Sequence, residues 1–442
     1  MTTPSSRFHL LAVVMSLSAC LPHHSLAANL GDIVQLARAN DPQFAAARAT
    51  ADAGKERYVQ GRAGLLPALF ANGSARSVHE ANTSIPDWVN YHSGTAGISL
   101  VQPLLRKANY ETFRQGELQS ALAELQFKLA EQDLLMRVAK AYFDVLQAED
   151  ALGSVRAQKE AFNEQLAQAN KSFGVGMAPI TDVNDAQSRY DLTLAQEIGA
   201  QNDVAVKRRA LEKLIHTSPP TLSRLDEAAS IDIIEPEQLG ALVDSASSSA
   251  LQVSIGETLT EIAQRDVSRE AAGHWPTVDL VVNKTENYHN SYTLTGPYTT
   301  RQATAGVEVN LPLFQGGVVS SREREAAANL ERSKEELESA RRQATFDAGQ
   351  AMLGVQSGSA MNRALKQALM SNETQVKSTR RGMEVGVRTR VDVLNAEQQL
   401  YATRRDLAAA RYQTLVAVLQ LKASAGVLTE QDLRDLDAML KE

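Results

Sequence analysis

The chain is nearly devoid of cysteine: Cys20 is the one thiol in 442 residues. No disulfide can close within the chain, and a metal site of the Cys/His kind has no thiolate to draw on. Aromatic residues are scarce as well, at 5%. Ala, Gln, Leu, Glu and Arg fill long tracts instead, which points to extended helices rather than a thick compact core. After residue 28 no run of 18 apolar residues occurs, so a membrane-spanning helix is excluded there. If the chain crosses a membrane, it does so with strands in a closed barrel. The net charge is −7 and no basic patch is interleaved with aromatics; nucleic acid is not an expected partner.

Catalytic and cofactor patterns are missing too. The eight histidines, at 9, 23, 24, 79, 92, 216, 274 and 289, form no helical pair at metal-binding spacing. The stretch Phe173-Gly174-Val175-Gly176 lacks the lysine and the strand-turn-helix setting of a phosphate loop. Its glycines read instead as a helix stop that permits a positive φ. Ser357, between Gln356 and Gly358, lacks the spacing of a nucleophile elbow. Glu335, Glu336 and Glu338 read as a solvated helix face. No metal, cofactor or enzymatic activity is expected.

Residues 1–27 read as a secretory signal peptide. Arg7 supplies a positive start, Phe8 to Ala19 is mostly apolar, and Ser25-Leu26-Ala27 fits a small-x-small cleavage site. A second reading stands beside it: Leu17-Ser18-Ala19-Cys20 fits a lipobox, in which Cys20 would be lipidated.

Proline is the punctuation. Thirteen are present, yet 104–178 and 313–442 have none. An interior proline costs a helix about 3 kcal/mol, so these tracts are helix candidates. Asn40-Asp41-Pro42 fits a helix cap with proline at the first position. Pro67 and Pro276 lie 209 residues apart, as do Pro103 and Pro312, and Gly31 and Gly240 keep the same offset. The chain reads as a duplication. The first repeat is expected over 28–215, a linker with Pro219, Pro220 and Pro236 over 216–237, the second repeat over 238–425, and a tail over 426–442.

Between the paired prolines the period changes from 3.6 to 2. Ala303, Ala305, Val307, Val309 and Leu311 alternate with polar residues or glycine, as do Val278, Leu280 and Val282, and Ile98 with Leu100. Leu69, Ala71, Gly73 and Ala75 continue the pattern more weakly. Strands are expected at about 68–79, 93–103, 277–287 and 303–312. Apolar on one face and polar on the other, they suit a barrel with lipid outside and water inside. The loops between them would carry Trp88, Tyr91, Tyr288, Tyr292 and Tyr298. Four strands cannot close a barrel, so the chain must oligomerise: two copies give eight strands, three give twelve.

Long helices are expected over 104–171 and 313–382, each roughly 100 Å at about 1.5 Å per residue. Leu118, Leu122, Leu125 and Leu129 form the seam of a packed helix. Shorter helices at about 43–66, 181–215, 250–273 and 391–424 would lie end to end beside them, with turns at 172–180 and 382–390 and the linker and tail at mid-height. Those turns repeat one another. Gly176 matches Gly386, Asp182 matches Asp392, Val183 matches Val393 and Ala186 matches Ala396, all 210 residues apart. Helix length places both far from the strands, at the opposite mouth of any channel.

Duplicated halves, proline-bounded strand pairs and two Val-Gly-x(5)-Asp-Val turns together resemble the TolC family of outer membrane channel proteins. The likeness covers about residues 30–440, including Leu428-Thr429-Glu430-Gln431-Asp432-Leu433. It implies a mixed α and transmembrane β fold: a homotrimer with a twelve-stranded outer membrane barrel continued by a long periplasmic α-helical barrel. The resemblance further implies docking on a periplasmic adaptor and an inner-membrane transporter, either an ABC transporter or a proton-driven pump. The cargo would be an exported protein, as in type I secretion, or small molecules, as in multidrug efflux. A periplasmic coiled-coil scaffold without a pore is the alternative from another class. By position, the resemblance makes Arg388 the gate latch, bonded to Thr181 and Asp182 of the other turn. Met383 replaces a tyrosine of that network, so one hydrogen bond should be lost. Asp392 and Asn395 mark the pore constriction, where the family has two aspartates; three negative charges in a trimer are expected instead of six. Asp392 also reads as a helix cap, and Arg388 also reads as a solvated surface charge. Gly174, Gly176 and Gly386 belong to the tip turns, the expected adaptor-docking surface.

Overall fold

The structure is a computed structural model describing residues 27–82, 85–226, 229, 236–290 and 296–441. Cys20 and all of the expected signal segment except Ala27 lie outside the described residues, as do Tyr292 and most of the second half of the linker.

The first repeat runs α1 (Leu30–Asn40), α2 (Pro42–Ala63), β1 (Ala68–Asn82), β2 (Ile85–Leu105), α3 (Lys107–Gly174) and α4 (Ile180–Ile215). A short strand, β3 (Arg224–Leu225), follows. The second repeat runs α5 (Pro236–Ser249), α6 (Leu251–Ala271), β4 (Thr277–Asn290), β5 (Tyr298–Asn310), α7 (Val318–Glu384) and α8 (Arg390–Ser424). The tail adds α9 (Glu430–Asp437) and β6 (Leu440–Lys441). Local chemistry sets these boundaries. Asp41 accepts from the Gln43 N–H at 3.0 Å and places Pro42 at the first position of α2, where a missing N–H costs nothing. Helix α3 extends 68 residues without a proline, roughly 100 Å at about 1.5 Å per residue. It lies beside α2 and then α4; α7 lies beside α5 and α6 and then α8. Among the described residues no helix is long and apolar enough to cross a membrane.

The best-packed region is at the middle of α3. Val138, Tyr142 and Phe143 meet Leu30, Ile33 and Val34 of α1, Leu415 and Leu419 of α8, and Leu433 of α9. The Tyr142 hydroxyl donates to the Ser223 carbonyl at 2.9 Å. The Asp437 carboxylate caps α1, accepting from the Leu30 and Gly31 N–H groups at 2.7 and 3.0 Å. Strand β3 pairs with β6. Linker and tail therefore meet at this level of the long helix.

The four long strands form one antiparallel sheet in the order β1-β2-β4-β5. The hairpins run further than the alternation indicated. The β1–β2 pairing continues past His79↔Asn90 to Asn82↔Ile85, where the sequence reading placed a loop over 79–93. Cross-strand contacts hold the extension: His79 stacks on Trp88, and the Tyr91 hydroxyl donates to Glu80 at 3.1 Å. Trp88, Tyr91, Tyr288 and Tyr298 thus sit in strands.

Register decides which face each residue shares. Leu69 pairs with Leu100, Leu100 with Val282, and Val282 with Ala305. Ala71, Ile98, Val278, Leu280, Val307 and Val309 fall on that same face. Phe70, Ser99, Asn283 and Thr304 line the other, with the Thr95 hydroxyl donating to Asn287 at 2.9 Å. The apolar band is exposed: Leu69, Ile98, Val307 and Val309 all stand open. Further from α3 the same face turns polar, with Lys284 and the Arg301–Glu286 ion pair at 3.2 Å. A sheet with two open edges and one bare apolar face is an aggregation hazard in water; it is at home as a segment of a lipid-embedded barrel.

At the junction of sheet and helices, Arg106 forms a fork on Asp279 of β4: Nε to Oδ1 at 2.8 Å and Nη2 to Oδ2 at 2.5 Å. Asp279 is buried, so its carboxylate depends on this partner. Arg106→Ala is expected to lower stability by roughly 1–3 kcal/mol, read as a lower thermal midpoint. Arg106→Lys should recover only part, since a point charge cannot reproduce the fork.

Candidate functional site

The two tip turns have one construction. After α3, the Met177 N–H reaches back to the Ser172 carbonyl at 2.8 Å; after α7, the Val387 N–H reaches the Gly382 carbonyl at 2.8 Å. Each closure needs a left-handed residue, supplied by Gly176 (φ 75°) and Gly386 (φ 79°). Gly174 is the last residue of α3 and lies outside that conformation. Each turn holds out two apolar side chains: Val175 and Met177 are 71% and 83% exposed, Val385 and Val387 both 74%.

Thr389 and Asp392 form a capping box at the start of α8. The Thr389 N–H donates to the Asp392 carboxylate at 2.9 Å, and the Asp392 N–H donates to the Thr389 hydroxyl at 3.2 Å. The Thr389 backbone bond, then the Thr389 side chain, then the charge of Arg388 hold the Asp392 carboxyl below its ordinary value. Asp392 is thus ionised at neutral pH and fixed in direction by the cap.

The latch residues sit differently from the expectation within the chain. Asp182, in the first turn of α4, faces Arg390, with Nε to Oδ2 at 3.7 Å. Among the described residues Arg388 makes no ion pair with Asp182 and no hydrogen bond with Thr181. The reason is local. Arg390 is the first residue of α8 and its side chain is only 9% exposed. Arg388 lies in the turn, exposed, its Cγ packed over Gly382, where an added Cβ would meet it at 2.8 Å. Met383 holds the turn through its backbone carbonyl, which accepts from the Gly386 N–H at 3.1 Å.

Asn395 is one helical turn beyond Asp392 and is exposed. Its side-chain oxygen accepts from Arg189 Nη2 at 2.6 Å, while Arg189 Nη1 donates to Gln398 at 2.5 Å. Two arginines on opposite helices therefore tie α4 to α8 near the tip: Arg390 toward Asp182, and Arg189 toward Asn395 and Gln398. Helix α7 is tied to α8 by Arg380, whose Nε and Nη2 donate to Glu397 Oε1 at 2.9 and 2.6 Å. Burial pushes the Glu397 carboxyl up and the Arg380 pairing opposes it. Sequence reasoning missed Arg189, Arg390 and Glu397. One signal was available: Arg189 follows Asp182 by seven residues, two turns along the same face of α4.

The chain as a whole has known relatives. The family model described as outer membrane efflux protein matches residues 33–216 and 242–427, one stretch in each repeat. The outer membrane protein TolC of Vibrio cholerae is 32% identical over 419 residues, covering 94% of each chain. The proteases secretion protein PrtF of Dickeya chrysanthemi is 32% identical over 446 residues, covering 97% of this chain and 94% of that one. The fold matches the crystal structure of the outer membrane protein VceC from Vibrio cholerae with a TM-score of 0.76 at 18% identity, over 90% of this chain and 96% of that one.

Proposed function

Since the chain belongs to the outer membrane efflux protein family and resides in the outer membrane, we propose that it is the channel-tunnel of a tripartite export system serving type I protein secretion. One observation carries the reading. A bare-faced, open-edged sheet at one end of the molecule is linked by helices of roughly 100 Å to a pair of matched turns at the other end.

Three copies, edge to edge, close a twelve-stranded barrel in outer membrane lipid, and their helices continue it as a periplasmic tunnel. The exposed Val175, Met177, Val385 and Val387 at the tips offer apolar contacts to a periplasmic adaptor. An inner-membrane ABC transporter behind that adaptor supplies the energy, and this chain supplies the duct. Asp392 and Asn395 line its narrowest point. Asp182 with Arg390 holds each subunit's two inner helices together, and the exposed Arg388 is free to reach a neighbouring subunit. Protein cargo is favoured by the extent of the likeness to PrtF, which is named for protease secretion. Efflux of small molecules by a proton-driven pump is the second reading, favoured by the family's description. A scaffold without a pore would leave the apolar sheet face without a purpose.

The test is reconstitution. Cells lacking their own channel receive this chain with the ABC transporter, adaptor and exported protein of a type I secretion system. Appearance of the exported protein in the medium is the expected result. Retention of that protein, with drug tolerance restored instead, would move the assignment to efflux.

A further inference from the structure

Arg189 is one of two arginines near Asp392 that form no ion pair among the described residues; the other, Arg388, is exposed in the turn, whereas Arg189 is held by two hydrogen bonds. Both of its Nη groups donate to neutral amides, Asn395 at 2.6 Å and Gln398 at 2.5 Å. Asp185, one turn earlier on α4, does not pair with it, and Arg189 forms no ion pair among the described residues. Its neighbours are balanced: Arg390 faces Asp182 and Arg380 faces Glu397. The guanidinium carries a full positive charge, held against Asn395, one helical turn from Asp392. Its two bonds fix the charge in place, which distinguishes it from a mobile surface arginine.

We propose, on the reading that Asp392 and Asn395 line the narrowest point of the entrance, that Arg189 is a selectivity-determining residue. Together with Arg388 it offsets Asp392 and Asp185 subunit by subunit, so that the mouth is close to charge-balanced rather than cation-selective. Such a mouth suits polypeptide cargo, whose segments carry both signs of charge and would be held back by a ring of one sign.

Purified full-length protein in planar bilayers under a potassium chloride gradient tests this through the reversal potential. Arg189→Gln should raise the ratio of potassium to chloride permeability by at least about threefold, since a few charges in a narrow low-dielectric mouth produce potentials of kT or more. Arg189→Lys keeps the charge and should stay near the parent ratio even if conductance changes. Asn395→Asp changes the charge of the mouth by the same amount and sign as Arg189→Gln, so it should also raise the ratio, and the two changes together should raise it further. Asp392→Asn should lower the ratio. An unchanged ratio in Arg189→Gln, with or without a change in conductance, overturns the proposal if Asp392→Asn still lowers it: Arg189 would then be only a tie between helices. An unchanged ratio in both variants overturns the reading of the constriction itself.

Discussion

Val307→Arg should abolish assembly of the chain into the outer membrane, whereas Thr304→Arg, three residues away on the same strand, should be tolerated. The two positions lie on opposite faces of β5. Val307 pairs with Leu280 and shares the apolar face with Val309, Val282 and Leu100. Thr304 pairs with Asn283 on the polar face. Val307 lies well inside the apolar band that runs from Ala303 to Val309 on this strand. An arginine facing lipid near the bilayer midplane costs about 2–4 kcal/mol, and lumen-facing substitutions cost far less. In a trimer the penalty is paid three times, about 6–12 kcal/mol in all, which is comparable with the whole stability margin of an ordinary domain, roughly 5–15 kcal/mol. The measurement is the fraction of protein that sediments with outer membranes. Equal sedimentation of the two variants would mean that this face does not meet lipid.

The second large effect is expected at the tip. Arg390→Ala should raise single-channel conductance several-fold by letting α4 and α8 part. The ion pair with Asp182 spans 3.7 Å, beyond hydrogen-bond reach, and Nε and Nη1 of Arg390 are enclosed without an acceptor. The tie is therefore Coulombic, strengthened by burial. Losing it should weaken the closed arrangement by roughly 1–3 kcal/mol per subunit, a shift of about 5- to 150-fold in the closed-to-open ratio. Asp182→Ala should open the entrance further, because it leaves a buried cation without its partner. Arg388→Ser should also raise conductance if that exposed side chain reaches the next subunit, and its effect should then combine with that of Arg390→Ala. Closed-level conductance in Arg390→Ala equal to that of the parent would remove Arg390 from the gate.

Which parts of this could be read along the chain follows from the range of the interactions. Proline-free tracts report helices because a proline in the interior is locally forbidden, and both long helices lie where those tracts do. Period-2 alternation reports strands while one face is apolar. It falls silent beyond His79 and Tyr288, where polar and aromatic cross-strand pairs take over, and the strands continue unseen. The tip glycines were legible for the same local reason: a left-handed residue leaves few choices. The partners at the tip were not. Arg388 and Arg390 are two residues apart, and which one faces Asp182 depends on where α8 starts and how it is rotated against a helix some 200 residues away in the chain. The same holds for Arg189, whose acceptors lie on α8.

Current through the purified protein in a planar bilayer tests the central claim most directly, namely that this chain builds a membrane pore closed at its far end by the paired turns. The account predicts spontaneous insertion, small uniform steps from the parent protein, and larger steps from Arg390→Ala at the same ionic strength. A protein that remains in solution and carries no current in either form would contradict it.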